Sequence, residues 1–145
     1  MKTQTKSINL ILASVSVSIA NAKAYHWLIK GNNFFILHEK FNEYYVFLAE
    51  HQDKIAERIL ALGDEPDVGY SFWLKNSQVK ESKAKTEKEI LEELLSTLDI
   101  LIALAQKGKS DSIKALDNET DNYLQEFIYD LQKLHWQYSS QLGYN

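Results

Sequence analysis

A chain with one proline, Pro66, and five glycines among 145 residues has few places to turn. Those two residue types punctuate most reverse turns, so their scarcity implies a few long elements rather than many short strands. Long helices meet that condition. The composition, 45% hydrophobic and 25% charged, suits a single domain over residues 1–145 with a substantial core. Cysteine is absent, which excludes a disulfide framework or a thiolate metal site and leaves His, Asp and Glu as metal ligands. The same absence suits a cytoplasmic location. A net charge of -4 and a pI of about 5.6 speak against nucleic-acid binding through general basicity. The start, "MKTQTK", reads as a short tail over residues 1–6 with two lysines. No run approaches the roughly 18 uncharged apolar residues that a membrane span needs.

The stretch "INLILASVSVSIANAKAYHW", Ile8 to Trp27, admits three readings. Its Ser–Val alternation from Ser14 to Ile19 has the period of a strand, over a very short length. Lys2, Lys6, an apolar run and the small-residue site Ala20-Asn21-Ala22 have the order of a signal peptide, but Asn9, Ser14, Ser16 and Ser18 interrupt the run. As a helix, the stretch places Ile8, Leu12, Val15, Ile19, Ala22 and His26 in one stripe at steps of four and three. The helical reading is adopted, and its stripe ends on His26.

Three more long helices follow the same rule. Leu37, Phe41, Tyr44, Leu48, Ile55, Ile59 and Leu62 form a stripe from Phe34 to Leu62, with Gly63 placed to close it in a left-handed cap. "TEKE" at Thr86 to Glu89 is a capping box leading into Ile90, Leu94, Leu98, Leu101 and Ala105, with Gly108 as the expected stop. Tyr123, Phe127, Leu131, Leu134, Tyr138 and Leu142 mark a fourth, beginning between Asp117 and Asp121. The link from Gly63 to Lys85 is too long for a tight turn, and "YSFWLKNS" inside it is expected to form a short extra helix. An all-α, ferritin-like four-helix bundle with one long crossover between helices two and three is therefore expected.

Four residues carry the chemistry: His26, His38, Asp53 and Glu57. The two histidines flank the bend between helices one and two, so antiparallel packing can bring them together. Asp53 and Glu57 share a helix face at i, i+4. Two imidazoles and two carboxylates suit iron or zinc. His38 and Asp53, however, lie fifteen residues apart on one helix, about 22 Å at 1.5 Å per residue, against metal–ligand bonds of about 2 Å. One chain cannot place both on one ion. They differ by only about 60° around the helix, so His38, Asn42, Tyr45, Ala49, Asp53 and Ala56 form one face. Two copies of that helix packed antiparallel about a two-fold axis near Val46 or Phe47 would unite His38 of one with Asp53 and Glu57 of the other. His51 and His135 join no cluster and read as structural residues, and Trp27 as packing.

At these residues the chain resembles the Dps family, the mini-ferritins named DNA-binding proteins from starved cells. The motifs are "HWLIKGNNFFILHEKFNEYY" (His26 to Tyr45) and "DKIAERILALGDEP" (Asp53 to Pro66), with weaker echoes in "SQVKE" and "LHWQYSSQLG". The resemblance implies a hollow dodecamer of two-fold dimers that oxidises Fe(II), preferentially with hydrogen peroxide, otherwise with oxygen, and stores ferric mineral. It implies His26 and His38 of one subunit and Asp53 and Glu57 of its mate as the iron ligands. Zinc is the competing metal. By position, Glu39 and Glu43 resemble mineral-nucleating residues, Asp117, Glu119 and Asp121 an acidic entry pore, and Trp27 and Tyr45 aromatics that absorb stray oxidising equivalents. Solvated carboxylates, favourable charges at a helix N-terminus and plain packing explain these seven equally well.

The chain departs from the pattern in two places. Asn42 stands one turn after His38, where many relatives have an Asp contacting a second iron. A neutral amide is a weaker ligand, so a second iron is expected to bind poorly there, with one or two irons per site left open. The tail is short and barely basic, and an assembly carrying -4 per chain repels phosphates, so DNA binding is expected to be weak. A DNA-compacting shell and a zinc-binding or purely structural oligomer are the alternatives.

Overall fold

The computed structural model describes residues 1–144, which form five helices and no strand. These are α1 (Thr3–Leu28), α2 (Phe34–Ala61), α3 (Tyr70–Asn76), α4 (Glu87–Lys114) and α5 (Asn118–Leu142). The long helices make the ferritin-like bundle, and α3 lies in the crossover, as the spacing predicts. Helix α1 packs against α2, α4 and α3, and α4 packs against α5. Ile8, Leu12 and Val15 of α1 meet Phe41, Leu48 and Ile55 of α2, Leu94 and Leu98 of α4, and Phe127 and Leu131 of α5 in one buried core. Each such side chain contributes about 1.5–3 kcal/mol when fully buried.

Helix α1 is buried on more than one side, which accounts for its mixed composition. Val15 and Val17 are buried, and so are Ser14, Ser16 and Ser18 between them. The polar residues bind the crossover to the helix. Asn9 Oδ1 accepts from the Asp67 amide at 2.9 Å and Ser14 Oγ from the Gln78 amide at 3.0 Å. Asn21 bridges the Lys80 carbonyl and the Ser82 amide. By length and mean hydropathy of 1.3, α1 would pass for a membrane span, contrary to the expectation from uninterrupted runs. In the fold 72% of its apolar window is buried against the other helices.

Residues 3–6 are the first turn of α1 rather than a tail, with Gln4 and Thr5 buried. The Lys2 ammonium donates to the Leu62 carbonyl, and its amide donates to Asp64 Oδ2 at 3.3 Å. A cation at the carbonyl end of α2 is favoured by the helix dipole, which ties the chain start to the bundle.

Gly63, at φ 82°, closes α2 in the left-handed cap that the sequence implies. At α4, Thr86 Oγ1 accepts from the Glu89 amide, while the Glu89 carboxylate reaches the Lys85 amide instead of returning to Thr86. Gly108 does not stop α4, which continues to Lys114. A Cβ on Gly108 would lie 2.8 Å from Leu124 Cδ1 and 3.4 Å from Ile11 Cδ1. This glycine lets α1 and α5 approach α4; the turn is made later, at Leu116, which adopts φ 58°.

Candidate metal centre

His26 lies in the last turn of α1 and His38 near the start of α2, joined by a bend in which Gly31 has φ 115°. The antiparallel return stacks the two imidazoles, with centroids 3.7 Å apart and planes 11° from parallel. Each ring also bonds to the other's backbone: His26 Nδ1 to the His38 carbonyl at 2.5 Å, and His38 Nδ1 to the His26 carbonyl at 2.7 Å. A carbonyl only accepts, so both Nδ1 atoms carry a proton, and in the neutral imidazole the lone pair is then on Nε2. That is the tautomer in which imidazole is a metal ligand through Nε2, held by its other nitrogen. The His26 carbonyl is available because it belongs to the last turn of α1, whose carbonyls lack intrahelical donors.

Aromatic side chains frame the pair. Phe34 stacks on His38 at 4.9 Å, and Tyr45 presents an edge to His26 at 5.7 Å. The Lys23 ammonium lies 5.5 Å from the Tyr45 ring centroid. Lys23 and Phe34 are absent from the sequence-based site, although one is three residues before His26 and the other four before His38, the helical spacings at which neighbours meet. Asn42 sits half-buried one turn after His38.

Asp53 and Glu57 are exposed on α2, far from the histidines along the helix. Among the described residues no three His, Asp or Glu side chains of one chain converge on a point that could hold a metal. An open trough of about 830 Å³ beside Asp53 is lined by Tyr45, Ala49, Asp53 and Ala56 of α2, Lys23 of α1 and Tyr70 of α3. Four of the six positions assigned to one face from the sequence thus border one depression in the surface.

The remaining candidates fall into different settings. Glu39 is exposed, and Glu43 is exposed and paired with Lys40 at 3.0 Å. Asp117 caps α5 by accepting from the Thr120 amide and forms an ion pair with Arg58 at 2.8 Å. Although burial opposes it, this donor set holds the Asp117 carboxyl below its ordinary range. Asp121 pairs with Lys109, which leaves Glu119 as the one carboxylate of the three facing solvent without a partner among the described residues. Trp27 is 70% exposed rather than packed within the chain, because it lies off the core stripe that His26 ends. His51 is a buried core residue bonded to the Tyr123 hydroxyl at 2.7 Å, and His135 pairs with Asp99 at 3.1 Å.

Comparison with known proteins agrees with this architecture. A family model described as Ferritin-like domain matches residues 5–144. The chain is 34% identical to a DNA protection during starvation protein of Listeria monocytogenes, over 94% of this chain and 89% of that one. A structure of Dps from Listeria innocua soaked with zinc superposes with a TM-score of 0.94 at 31% identity, covering 97% of this chain and 96% of that one. Dps from Vibrio cholerae, described as a member of a superfamily of ferritin-like diiron-carboxylate proteins, gives a TM-score of 0.93 at 31% identity over 96% and 88% of the two chains. With a ferritin-like domain over nearly its whole length and relatives above 30% identity across the same span, the chain belongs to the Dps family of ferritin-like proteins.

Proposed function

We propose that this protein is an iron-oxidising and iron-storing mini-ferritin. Two-fold dimers place the His26–His38 pair of one subunit opposite Asp53 and Glu57 of the partner subunit. Such dimers assemble into a dodecameric shell that keeps ferric mineral inside and protects a cytoplasm from peroxide chemistry. The observation that supports this most is the imidazole pair, whose two Nδ1–H groups are spent on backbone carbonyls so that both Nε2 lone pairs remain for a cation. A donor set of two neutral imidazoles and two carboxylates fits Fe(II), with net charge -2 from the carboxylates to offset the ion.

In this reading the chain's own groups have separate tasks. The imidazoles orient Fe(II) through Nε2, and the carboxylates stabilise the rise in charge to Fe(III). Phe34 and Tyr45 cover the histidines and limit the water around them. Hydrogen peroxide is the oxidant taken preferentially, and oxygen the slower one. Asn42 leaves the site one carboxylate short, so one Fe(II) is held per site. Glu39 and Glu43 supply exposed carboxylates for mineral nucleation. With Asp117 and Asp121 in ion pairs, the proposed pore rests on Glu119.

Zinc suits the same donors, and the Listeria innocua Dps was soaked with it, so zinc is expected to compete. DNA compaction is the weaker reading, since the Lys2 ammonium is bound to the Leu62 carbonyl and the chain carries -4. The deciding experiment is anaerobic loading of the native assembly with Fe(II), then peroxide, while ferric absorbance is recorded. Oxidation well above a protein-free control, with the iron staying soluble, is the expected outcome. His38→Ala is expected to return the rate to that control while the sedimentation coefficient of the assembly stays unchanged. A wild-type rate equal to the control would refute the proposal.

A further inference from the structure

A second depression lies between the first half of α2 and the second half of α5. This cleft of about 400 Å³ is walled by Leu37, Tyr44, Phe47, Leu134 and Tyr138. The exposed side chains of Lys40, Glu43, Gln137 and Gln141 also border it. Its size falls at the small end of the roughly 300–1,000 Å³ of ligand clefts, room for one ring rather than for a large cofactor. Two phenol hydroxyls in the wall are poorly satisfied. Tyr44 is 2% exposed, and its hydroxyl has no hydrogen-bond partner among the described residues. The Tyr138 hydroxyl donates to the Lys40 carbonyl at 3.3 Å, outside the usual range of about 2.5–3.0 Å for such a bond. Burial raises both phenols above their ordinary range, so each keeps its proton as a donor. An enclosed donor without an acceptor weakens the fold, and a ligand oxygen would complete it.

We propose that this cleft binds a small neutral phenol, its ring against Tyr44, Phe47 and Tyr138 and its oxygen accepting a hydrogen bond from the Tyr44 hydroxyl. The inference is independent of the iron-oxidation reading above, since it uses none of the four proposed metal ligands.

Three features select that chemistry. The aromatic wall favours a ring, because aromatic side chains gain from edge and stacked contacts beyond the area they bury. The Tyr44 and Tyr138 rings already meet in this way, 6.1 Å apart at 62°. The unpartnered hydroxyl favours an oxygen that can accept. The charges at the rim favour a neutral molecule, since Lys40 and Glu43 neutralise each other at 3.0 Å and the two glutamines carry none. An ion entering there would lose water without gaining a free counter-charge. The Tyr44 hydroxyl is closed to bulk water. Burial of the ligand's apolar ring drives its oxygen deeper than a lone water goes.

The test is a fluorine nuclear magnetic resonance titration of the native, metal-free assembly with para-fluorophenol, fluorobenzene and para-fluorobenzoate. The wild type is expected to take up para-fluorophenol saturably, one per chain, and roughly fivefold more tightly than fluorobenzene, the effect of one hydrogen bond. The charged para-fluorobenzoate is expected to bind more weakly than para-fluorophenol. Tyr44→Phe is expected to bring para-fluorophenol down to the affinity of fluorobenzene while leaving fluorobenzene unchanged. Gln137→Trp, which fills the mouth of the cleft from an exposed position, is expected to abolish uptake of both without changing the sedimentation coefficient of the assembly. Absence of saturable uptake by the wild type, as when a second copy of the chain covers the cleft, would overturn the inference. So would equal wild-type affinities for the two neutral probes, a preference for para-fluorophenol that persists in Tyr44→Phe, or uptake that Gln137→Trp leaves intact. Benzoate binding as tight as phenol binding would remove the neutral ligand from the assignment.

Discussion

Buried polar groups in this protein have contrasting partners, and the difference has measurable consequences. His51 is 6% exposed, packed between Phe47 and Phe127, and bonded to the Tyr123 hydroxyl. Burial, assisted by the Lys54 ammonium, pushes its pKa down to about 4, against a weaker opposing pull from Asp130. The unfolded chain therefore binds a proton that the folded chain refuses between pH 6.5 and about 4. Stability is complete above pH 6.5, falls as the pH drops through that window by about 3 kcal/mol, and levels off below it. Replacing the group by His51→Phe is expected to remove that component of the acid sensitivity, read as the difference between the pH dependences of denaturant midpoints. Equal slopes for both proteins would contradict the assignment. Tyr44 is the opposite case, a fully enclosed hydroxyl without a hydrogen bond among the described residues. Deleting an unsatisfied polar group relieves its desolvation cost, so Tyr44→Phe is expected to be neutral or stabilising by about 1 kcal/mol in chemical denaturation.

At the scale of the helices, close approach rather than propensity decides what a residue does. Gly108→Ala would gain about 0.5–1 kcal/mol in helix propensity. The added methyl, however, meets Leu124 Cδ1 at 2.8 Å with Ile11 Cδ1 behind it, and both side chains are fully buried. Overpacking costs about 1–3 kcal/mol, so the variant is expected to be net destabilised by about 1–2 kcal/mol, seen as a lower denaturant midpoint. The same crowding limited what the sequence disclosed about α4. A glycine after a periodic stripe has the pattern of a stop signal, and only the third dimension shows that Gly108 is a crossing point. The apolar stripes of α2 and α5 were legible because each has one buried side, and the left-handed stop at Gly63 was legible because few residues accept its φ. Helix α1 was harder to read, since the crossover covers its second side and the serines that bind it imitate a strand. Within the site, ligand types and spacing pointed to His26, His38, Asp53 and Glu57. The reciprocal carbonyl bonds, Phe34 and Lys23 were not visible, because they depend on how two helix ends meet.

For the whole molecule, the proposed site is a statement about subunits and can be tested as one. One chain keeps its imidazole pair and its two carboxylates apart along α2, Asp53 lining an open trough and no set of three ligands converging among the described residues. In the proposed dimer, a two-fold axis through the trough would make two identical sites, each taking its histidines from one chain and its carboxylates from the other. His38→Ala and Asp53→Ala proteins should therefore each be inactive alone. In a mixed dimer, one site carries both lesions and the other carries neither. If the two variants are denatured together and reassembled at equal amounts, half of the pairs are mixed and each keeps one of its two sites. About a quarter of all sites should then recover rapid Fe(II) oxidation. A site built within one chain gives no recovery under the same treatment, because no subunit in the mixture has all four ligands. Recovery near that fraction would place the chemistry between subunits, and an inactive mixture of correctly sized assemblies would remove Asp53 or His38 from the shared site.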